Sequence, residues 1–268
     1  MDAFKLSEIV IYPVKSFGGI SQQSAEISDR GFKHDRRWMI IDSEEKFITQ
    51  RTHPQLALIK TKISHNKLIL SHKTKDIPPL VIPMNAMSVE ITIVNIWDEL
   101  VEAQLVGKYA DEWLNEALGF KCRIVFMPDE TQRFVNRNYA FQNEIVSFAD
   151  AYPFMLIGEQ SLEDLNKRLN EKILMNRFRP NLVFNGGKPF DEDKWKRIKI
   201  GGVKFSVAKP CIRCTIPSVN QETGAKGEEP LKTLSTYRAE NNKIYFGQNL
   251  IQEETGTVKV GDEIEILE

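Results

Sequence analysis

Cysteine is scarce in this chain, which has three cysteines among 268 residues. So small and odd a number argues against a disulfide framework and fits a reducing compartment. A four-sulfur zinc site needs more thiols than the chain supplies, so structural zinc is not expected. Cys122 stands alone, whereas Cys211 and Cys214 share one short segment. Any cysteine chemistry is therefore concentrated in that segment.

The chain also lacks several common cofactor motifs. It contains no Gly-x-Gly-x-x-Gly fingerprint and no P-loop lysine motif, so a flavin or nicotinamide site of the familiar kind is unsupported. The four histidines do not have the spacing of a helix-borne zinc motif, and we expect them at the surface or in turns. They all lie in the N-terminal third, at His34, His53, His65 and His72.

Neither sign of charge dominates, because 36 lysines and arginines oppose 37 acidic residues and leave a formal net charge of −1. A nucleic-acid partner normally requires a basic face, so none is expected. No apolar run approaches the ~20 residues that span a bilayer, and the first residues lack the pattern of a signal peptide. We therefore expect a cytoplasmic protein with no membrane partner.

What is present predicts a mixed α+β fold that is predominantly β. Hydrophobic residues make up 41% of the chain, which is enough for one large or two ordinary packed domains. Apolar runs and alternating apolar positions, with turn residues between them, are typical of barrels or sandwiches. Strands are predicted at 9–11, 89–93, 258–260 and 263–266, and a hairpin turn at 65–67.

Two helices interrupt this pattern. Apolar residues recur at helical spacing between Ala110 and Leu118, and Gly119 is placed to end that helix. Ser161, with Asp164 three residues on, is predicted to cap a second helix. The apolar face of this second helix would consist of Leu162, Leu165 and Leu169.

Residues 127–143 between the helices are polar and irregular, with Arg133, Asn136 and Arg137 clustered. Such a stretch is either a solvated surface loop or a loop over an active site. We place a domain border at its start, between residues 127 and 128.

The most informative segment is 209–215, which reads Lys-Pro-Cys-Ile-Arg-Cys-Thr. A redox dithiol usually opens a helix after a strand, but Thr215 to Pro217 is predicted to continue in extended conformation because proline disfavours a helix interior. Two cysteines that pack in a core are a second alternative. The third is a thiolate that binds a soft metal, since the positive charges of Lys209, Arg213 and Arg238 would favour the deprotonated form.

Several separated motifs, in the same order along the chain, resemble one family. The segments are 11–16, 34–38, 178–181, 211–215, 220–224, 230–238 and 258–262. They resemble the MOSC domain and its N-terminal β-barrel domain, as found in the mitochondrial amidoxime-reducing component and bacterial YcbX-type proteins. The resemblance implies an N-terminal β-barrel-like domain over 1–127. It implies a MOSC β-barrel core, which carries the metal-ligand cysteine, over 128–268.

The resemblance implies a molybdenum enzyme that reduces N-hydroxylated compounds such as amidoximes, hydroxylamines and N-hydroxylated bases. The cofactor would be Mo-molybdopterin, with Cys214 as the catalytic cysteine and metal ligand. Asp150 would deliver protons near the metal, or else orient a turn. No four-cysteine cluster motif follows before Glu268, which implies a separate ferredoxin, flavodoxin or cytochrome-like electron donor. The alternative is a carrier of the cofactor, or of sulfur as a cysteine persulfide.

The same resemblance assigns a set of residues to the pterin or its phosphate, since such groups are commonly held by cations, hydroxyls and amides. For an isolated arginine such as Arg36 or Arg179, a surface salt bridge is the alternative. The chain departs from the family pattern at Tyr152, where a small hydroxyl residue is expected. Pyridoxal phosphate binding and detoxification are further expectations at the level of the family. The assigned residues are Lys15, Ser16, Arg36, Arg179, Asn181 and Arg213.

Overall fold

The computed structural model describes residues 3–84, 89–136, 138–140 and 143–268. Strands hold 40% of the residues and helices 15%, with three α-helices in the described ranges. The predicted class, a mixed α+β fold that is predominantly β, is confirmed. Among these residues no helix is long and apolar enough to cross a membrane.

The strands form one large sheet and three small ones. In chain order they are β1 (Lys5–Ile11), β2 (Ile20–Gln22), β3 (Ser24–Ser28), β4 (Gly31–Phe32), β5 (Trp38–Ile41), β6 (Ile59–Ser64), β7 (Lys67–His72), β8 (Leu80–Pro83), β9 (Ile91–Ile96), β10 (Glu99–Leu105), β11 (Arg123–Phe126), β12 (Phe154–Gly158), β13 (Leu182–Asn185), β14 (Arg197–Ile200), β15 (Val203–Ile212), β16 (Ala239–Glu240), β17 (Lys243–Gln252), β18 (Gly256–Lys259) and β19 (Ile264–Ile266). The α-helices are α1 (Lys108–Leu118), α2 (Glu159–Asn166) and α3 (Leu231–Ser235). Short 3-10 helices cover Pro54–Leu58, Met175–Arg177, Asp191–Lys194 and Ile216–Ser218.

The large sheet combines strands from both ends of the chain. Its order is β19-β14-β15-β17-β12-β13-β1-β2, with β16 paired to β17. β1 is antiparallel to β13, and β3 is antiparallel to β18 in a separate small sheet. The first four strands therefore lie among those of the C-terminal half. The border between residues 127 and 128 stays a prediction, but hydrogen bonding between strands crosses it.

The two remaining sheets belong to the first half of the chain, with orders β5-β11-β10-β9 and β6-β7-β8. The predicted hairpin is confirmed, and its turn consists of His65 and Asn66, both in the left-handed region at φ 48° and 57°. Two such residues in succession match the right-handed twist of the flanking strands. The predicted strand near residue 90 also forms, but Ile91 and Ile93 are exposed while Val94 and Ile96 are buried.

Helix α1 forms where it is predicted. Its inward face buries Ala110, Leu114 and Ala117 in a core to which both small sheets of the first half contribute, through β8 and β11. Gly119 follows the helix at φ 79°, and its N–H donates to the Asn115 carbonyl at 2.9 Å. Glycine adopts this left-handed backbone conformation without strain, because it has no Cβ atom.

The predicted cap of the second helix is wrong. Helix α2 begins at Glu159, after Gly158, and Ser161 is buried inside it. The Ser161 hydroxyl donates to the Glu192 carboxylate at 2.8 Å instead of accepting from the helix N-terminus. Burial raises the pKa of Glu192, against the opposing effect of this hydrogen bond. The Ser161 hydroxyl, which the local pattern predicted as a helix cap, therefore binds the buried carboxylate of Glu192, a residue distant in sequence.

One further expectation needs correction. Thr215 adopts a right-handed helical conformation, and Ile216–Ser218 makes one 3-10 turn instead of continuing as extended chain. Proline is compatible with this turn because Pro217 lies in its first residues, where a backbone N–H has no hydrogen-bond partner within the turn. Both predicted C-terminal strands form, with β18 paired to β3 and β19 paired to β14.

Candidate functional site

A cavity of about 280 Å³ lies where the two halves of the chain meet. Its walls come from the loop after β1, the segment before β12, the loop before β13 and the C-terminal end of β15. The structure brings all the predicted site residues to this one cavity. They are Lys15, Ser16, Arg36, Asp150, Arg179, Asn181, Arg213 and Cys214.

Lys15 and Asp150 form an ion pair on one wall. The Lys15 ammonium donates to Asp150 Oδ1 at 2.6 Å and to the Phe148 carbonyl at 2.7 Å. Burial lowers the pKa of Lys15 to about 8, although Asp150 acts to raise it. For Asp150, burial raises the pKa, but Lys15 and Arg51 outweigh it and hold the pKa well below its usual range. An ionised Asp150 suits anchoring of the two cations better than delivery of a proton.

Arg36 and Arg179 both lie against the ring of a buried tyrosine. Their guanidinium carbons are 4.5 and 4.2 Å from the centroid of the Tyr12 ring. Burial lowers the pKa of Arg179 to about 10, and Arg179 is only 8% exposed. Both arginines have positive φ, at 49° and 57°, which non-glycine residues rarely adopt. A surface salt bridge is therefore not the role of either residue.

Asn181 and Asp35 orient the Arg36 guanidinium. Arg36 Nη1 donates to Asn181 Oδ1 at 2.8 Å, while the Asn181 amide donates to the Val10 carbonyl at 3.1 Å. The same Arg36 nitrogen donates to Asp35 Oδ2 at 2.5 Å. Asn181 is 1% exposed and engages both ends of its side chain. Within the described residues it positions an arginine rather than presenting a free amide to the cavity.

Ser16 is likewise engaged by its neighbours. It has φ 70°, is 4% exposed, and its hydroxyl accepts from the Gln50 N–H at 3.3 Å. Gln50 also donates to the Ser16 carbonyl at 2.6 Å and pairs with Gln221 of the C-terminal half. This chain of amide contacts fixes the loop after β1 against the other half of the protein.

The two cysteines of segment 209–215 are half-buried on the cavity wall, unlike the third cysteine. Burial raises the pKa of Cys122 to about 12, so that thiol is a packing residue. Arg213 Nη1 lies 3.1 Å from Cys211 Sγ, and its Nη2 donates to the Phe178 carbonyl at 2.8 Å. Because Cys211 and Cys214 line an open cationic cavity, packing does not account for them.

Arg51 is a site residue that no sequence motif predicted. Its Nη2 donates to Asp150 Oδ2 at 2.5 Å, and its guanidinium carbon lies 4.8 Å from the centroid of the Trp97 ring. Burial lowers the pKa of Arg51, but Asp150 and Cys214 outweigh this and raise it overall. No local pattern marks Arg51, since only the fold brings this loop next to the cysteine.

The loop that precedes Asp150 is held by Arg133. This guanidinium donates to the carbonyls of Ser147, Ala149 and Asp150 at 3.0, 2.5 and 3.1 Å. Arg133 thus holds the backbone of the loop that forms this wall, although its own side chain does not line the cavity. Arg137, which the sequence places beside it, lies outside the described residues.

The donor set fits an anionic cofactor that brings most of its own metal ligands. Among the described residues, six cations and one carboxylate, that of Asp150, line the cavity. The cations are Lys15, Arg36, Arg51, Arg179, Lys209 and Arg213. Arg51 Nη1, Arg213 Nε and Tyr152 Oη are buried without a hydrogen-bond partner in the described part of the chain. No group of three or more His, Cys, Asp or Glu side chains is placed to hold a metal among the described residues. A metal here would take one thiolate from the protein.

Fold and site together define a predominantly β protein with one cationic, cysteine-lined cavity between two interleaved halves. Residues 143–265 match the MOSC domain, and residues 3–121 match the MOSC N-terminal beta barrel domain. The chain belongs to the MOSC-domain proteins that carry this N-terminal domain, and the family resemblance is confirmed.

Relatives of two kinds match most of the chain. Mitochondrial amidoxime-reducing component 1 of Mus musculus is 32% identical over 98% of this chain and 82% of its own length. The Homo sapiens protein of the same name is 31% identical over the same shares. Molybdenum cofactor sulfurase of Arabidopsis thaliana is 32% identical over 90% of this chain but only 32% of its own length. These relatives support a function linked to the molybdenum cofactor.

Proposed function

We propose that this protein is a molybdenum-cofactor-dependent reductase of N-hydroxylated compounds. The observation that carries the proposal is the position of Cys214, a half-buried thiol on the wall of a cavity where buried and half-buried cations outnumber carboxylates. A thiolate next to Arg51 is the form that binds a soft metal. The likeness to amidoxime-reducing components over nearly the whole chain supports the reaction class.

Each group of residues has a distinct part in this proposal. Cys214 provides the protein ligand to the metal, while Lys15, Arg36, Arg179 and Arg213 neutralise the anionic cofactor. Ser16 and Asn181 act through their neighbours, by fixing the loop after β1 and the Arg36 guanidinium. When bound, the cofactor would supply a metal centre capable of two-electron chemistry on the N–O bond of the substrate.

The reaction consumes two electrons and two protons for each N–O bond that is broken, and it releases one water. Asp150, held ionised by two cations, keeps Lys15 and Arg51 in place at the cavity. Lys15, with its pKa near 8, carries a proton at Nζ at neutral pH and is the titratable group best placed to exchange one there. We propose that a separate electron-transfer protein supplies the electrons in the cytoplasm.

The test is turnover of benzamidoxime by protein produced in a host that makes the cofactor, with a chemical reductant in place of the natural donor. We expect benzamidine to form in proportion to the bound molybdenum. Absence of turnover in protein with a full complement of metal would contradict the reductase.

A carrier of sulfur or cofactor is the second candidate, favoured by the pairing of Arg213 with a second cysteine, Cys211, on the same wall. The match to molybdenum cofactor sulfurases supports it as well. A carrier should hold a persulfide that cyanide releases as thiocyanate, and it should pass cofactor or sulfur to an acceptor protein. Thiocyanate release combined with lack of turnover would favour the carrier.

A further inference from the structure

A second cleft, of about 520 Å³, opens beside the candidate site and shares Lys209 and Ile212 with it. The rings of Tyr139, Tyr237 and Tyr245 line this cleft. Ile212 is 43% exposed between the two spaces, an apolar side chain that no neighbour covers fully. The second cleft is thus an aromatic-walled space that adjoins the first cavity at Lys209 and Ile212, close in sequence to Cys211 and Cys214.

Lys209 is a cation without a carboxylate partner in the described ranges. Its ammonium lies 4.9 Å from the centroid of the Tyr139 ring and 5.3 Å from that of Tyr152. The position of Lys209 follows from an irregularity in the pairing of β15 with β17, where the register shifts between Val207 and Lys209. Contacts with aromatic faces hold a cation without neutralising it, so Lys209 keeps its charge available at the junction of the two spaces.

Tyr152 adds a donor at the same junction. It lines the first cavity, is 7% exposed, and its buried hydroxyl has no hydrogen-bond partner in the described part of the protein. Burial raises the pKa of Tyr152 to about 12, so the hydroxyl keeps its proton. A buried hydroxyl without a partner costs free energy that a ligand oxygen would recover.

The charges further out in the cleft are nearly balanced. Arg238 donates to Asp193 Oδ2 at 2.6 Å, and Gln248 donates to the other oxygen of Asp193 at 2.7 Å. Lys243 and Glu240 lie on the exposed rim. Because Asp193 is engaged twice, the positive charge that remains inside the cleft is that of Lys209.

We propose that this cleft binds the aromatic part of a substrate that bears a carboxylate or phosphate, with Lys209 and Tyr152 contacting the anionic group. The aromatic walls can pack against a planar ring, and the ammonium of Lys209 can bind an acidic substituent on that ring. The proposal rests on the reductase function. With the ring in the cleft and the acidic group at the junction, the N-hydroxyl group faces the cysteine side of the cavity when the two substituents are ortho or meta to each other.

Binding can be tested without turnover by titrating cofactor-free protein with three fluorescent probes: 1-naphthyl phosphate, 1-naphthoate and the neutral 1-naphthamide. We expect the two acids to bind about tenfold more tightly than the amide, as one charge-assisted hydrogen bond would give. Tighter binding of the phosphate alone would assign the site to phosphate esters, and equal binding of both acids would include carboxylates. Equal affinity for the amide and both acids would overturn the proposal.

Variants locate the bound probe. Lys209→Gln should remove the preference for the acids, whereas Lys204→Gln, on the same strand but outside both spaces, should leave it unchanged. Tyr245→Leu should weaken binding of all three probes. If Arg179→Ala weakens binding and Tyr245→Leu does not, the probe lies in the first cavity and the proposal is wrong.

Turnover provides an independent arm. In an active preparation, Lys209→Gln should raise KM for 3-carboxybenzamidoxime about tenfold more than it raises KM for benzamidoxime. An equal change in the two KM values, or no change in either, would contradict the cleft as a substrate site. Absence of turnover with either compound would instead contradict the reductase, and the probe titrations would then decide alone whether the cleft binds aromatic acids.

Discussion

At the scale of single residues, the arginines of the cavity carry more charge than their protein partners neutralise. Arg36 and Arg179 share one tyrosine ring, and Arg51 shares Asp150 with Lys15. Burial of unneutralised cations is unfavourable in itself, as the lowered pKa of Arg179 indicates. An anionic ligand would stabilise this arrangement of cations, so the cavity is suited to binding an anion.

We predict that Arg179→Ala lowers cofactor occupancy well before it lowers stability. The substitution removes one buried cation and one hydrogen bond, from Nη1 to the Phe17 carbonyl at 2.6 Å, worth about 1 kcal/mol. Molybdenum and pterin per protein should fall at least severalfold, while the urea midpoint shifts only slightly. Arg168→Ala, which removes an exposed pair with Asp164, is the control and should change neither. Retained occupancy in Arg179→Ala would count against a cofactor contact.

The Asp150 carboxylate makes a distinct prediction about pH. Its pKa is lower in the folded protein than in the unfolded chain, so its stabilising effect is present above the unfolded pKa near 4 and is lost as the pH falls through the folded value. The difference in free energy of unfolding between wild type and Asp150→Asn should therefore shrink as the pH is lowered below about 4. Urea unfolding of both proteins at pH 6 and at pH 3 measures this difference. A difference that is the same at both pH values would show that Lys15 and Arg51 do not lower the pKa of Asp150.

The sequence predicted the cavity-lining residues that lie in separated motifs, such as Lys15, Arg179 and Cys214. It did not predict Arg51 as a site residue, because no local pattern distinguishes it. Tyr12 lies in a motif, but nothing in the sequence indicates that its ring contacts two arginines. Arg51 becomes a site residue only through its contacts with Asp150 and Trp97, which the fold creates over long sequence separations. Residues of that kind are beyond any local pattern.

At the scale of elements, sequence patterns predicted the helix and the hairpin whose structure depends on interactions between residues close in sequence. Helix α1 has an apolar stripe and a terminal glycine, and the β6-β7 hairpin has two turn residues suited to positive φ. Helix α2 shows the limit of these rules, because Ser161 bonds to Glu192 across the fold. The pairing of β1 with β13 is likewise set by the large sheet as a whole.

Gly119 gives a test at this scale. Gly119→Ala should destabilise the protein by about 1 kcal/mol, because the residue adopts φ 79° and an alanine there is strained even though open space surrounds it. Gly202→Ala is a matched control, since Gly202 also has open space around it but no positive φ. Urea unfolding of both variants measures the difference, and equal free energies of unfolding would contradict the role of Gly119 as a helix end.

At the scale of the whole molecule, the cavity exists because the halves are interleaved. β1 lies in the sheet of the C-terminal half, and the loop that follows it carries Lys15 and Ser16 to the segment that bears Asp150. Gln50 and Gln221 donate to each other across the same junction at 3.1 and 2.9 Å. A ligand that binds both halves should therefore stabilise the entire fold by mass action.

The central claim is that Cys214 is the protein ligand to molybdenum. The most direct measurement is the molybdenum content, with the metal-centred absorption spectrum, of wild type, Cys214→Ser and Cys211→Ser from the same cofactor-producing host. We predict that Cys211→Ser retains the metal and the spectrum of wild type, whereas Cys214→Ser loses the thiolate-to-metal absorption and all turnover. Equal losses in both variants, or a wild-type spectrum in Cys214→Ser, would contradict the claim.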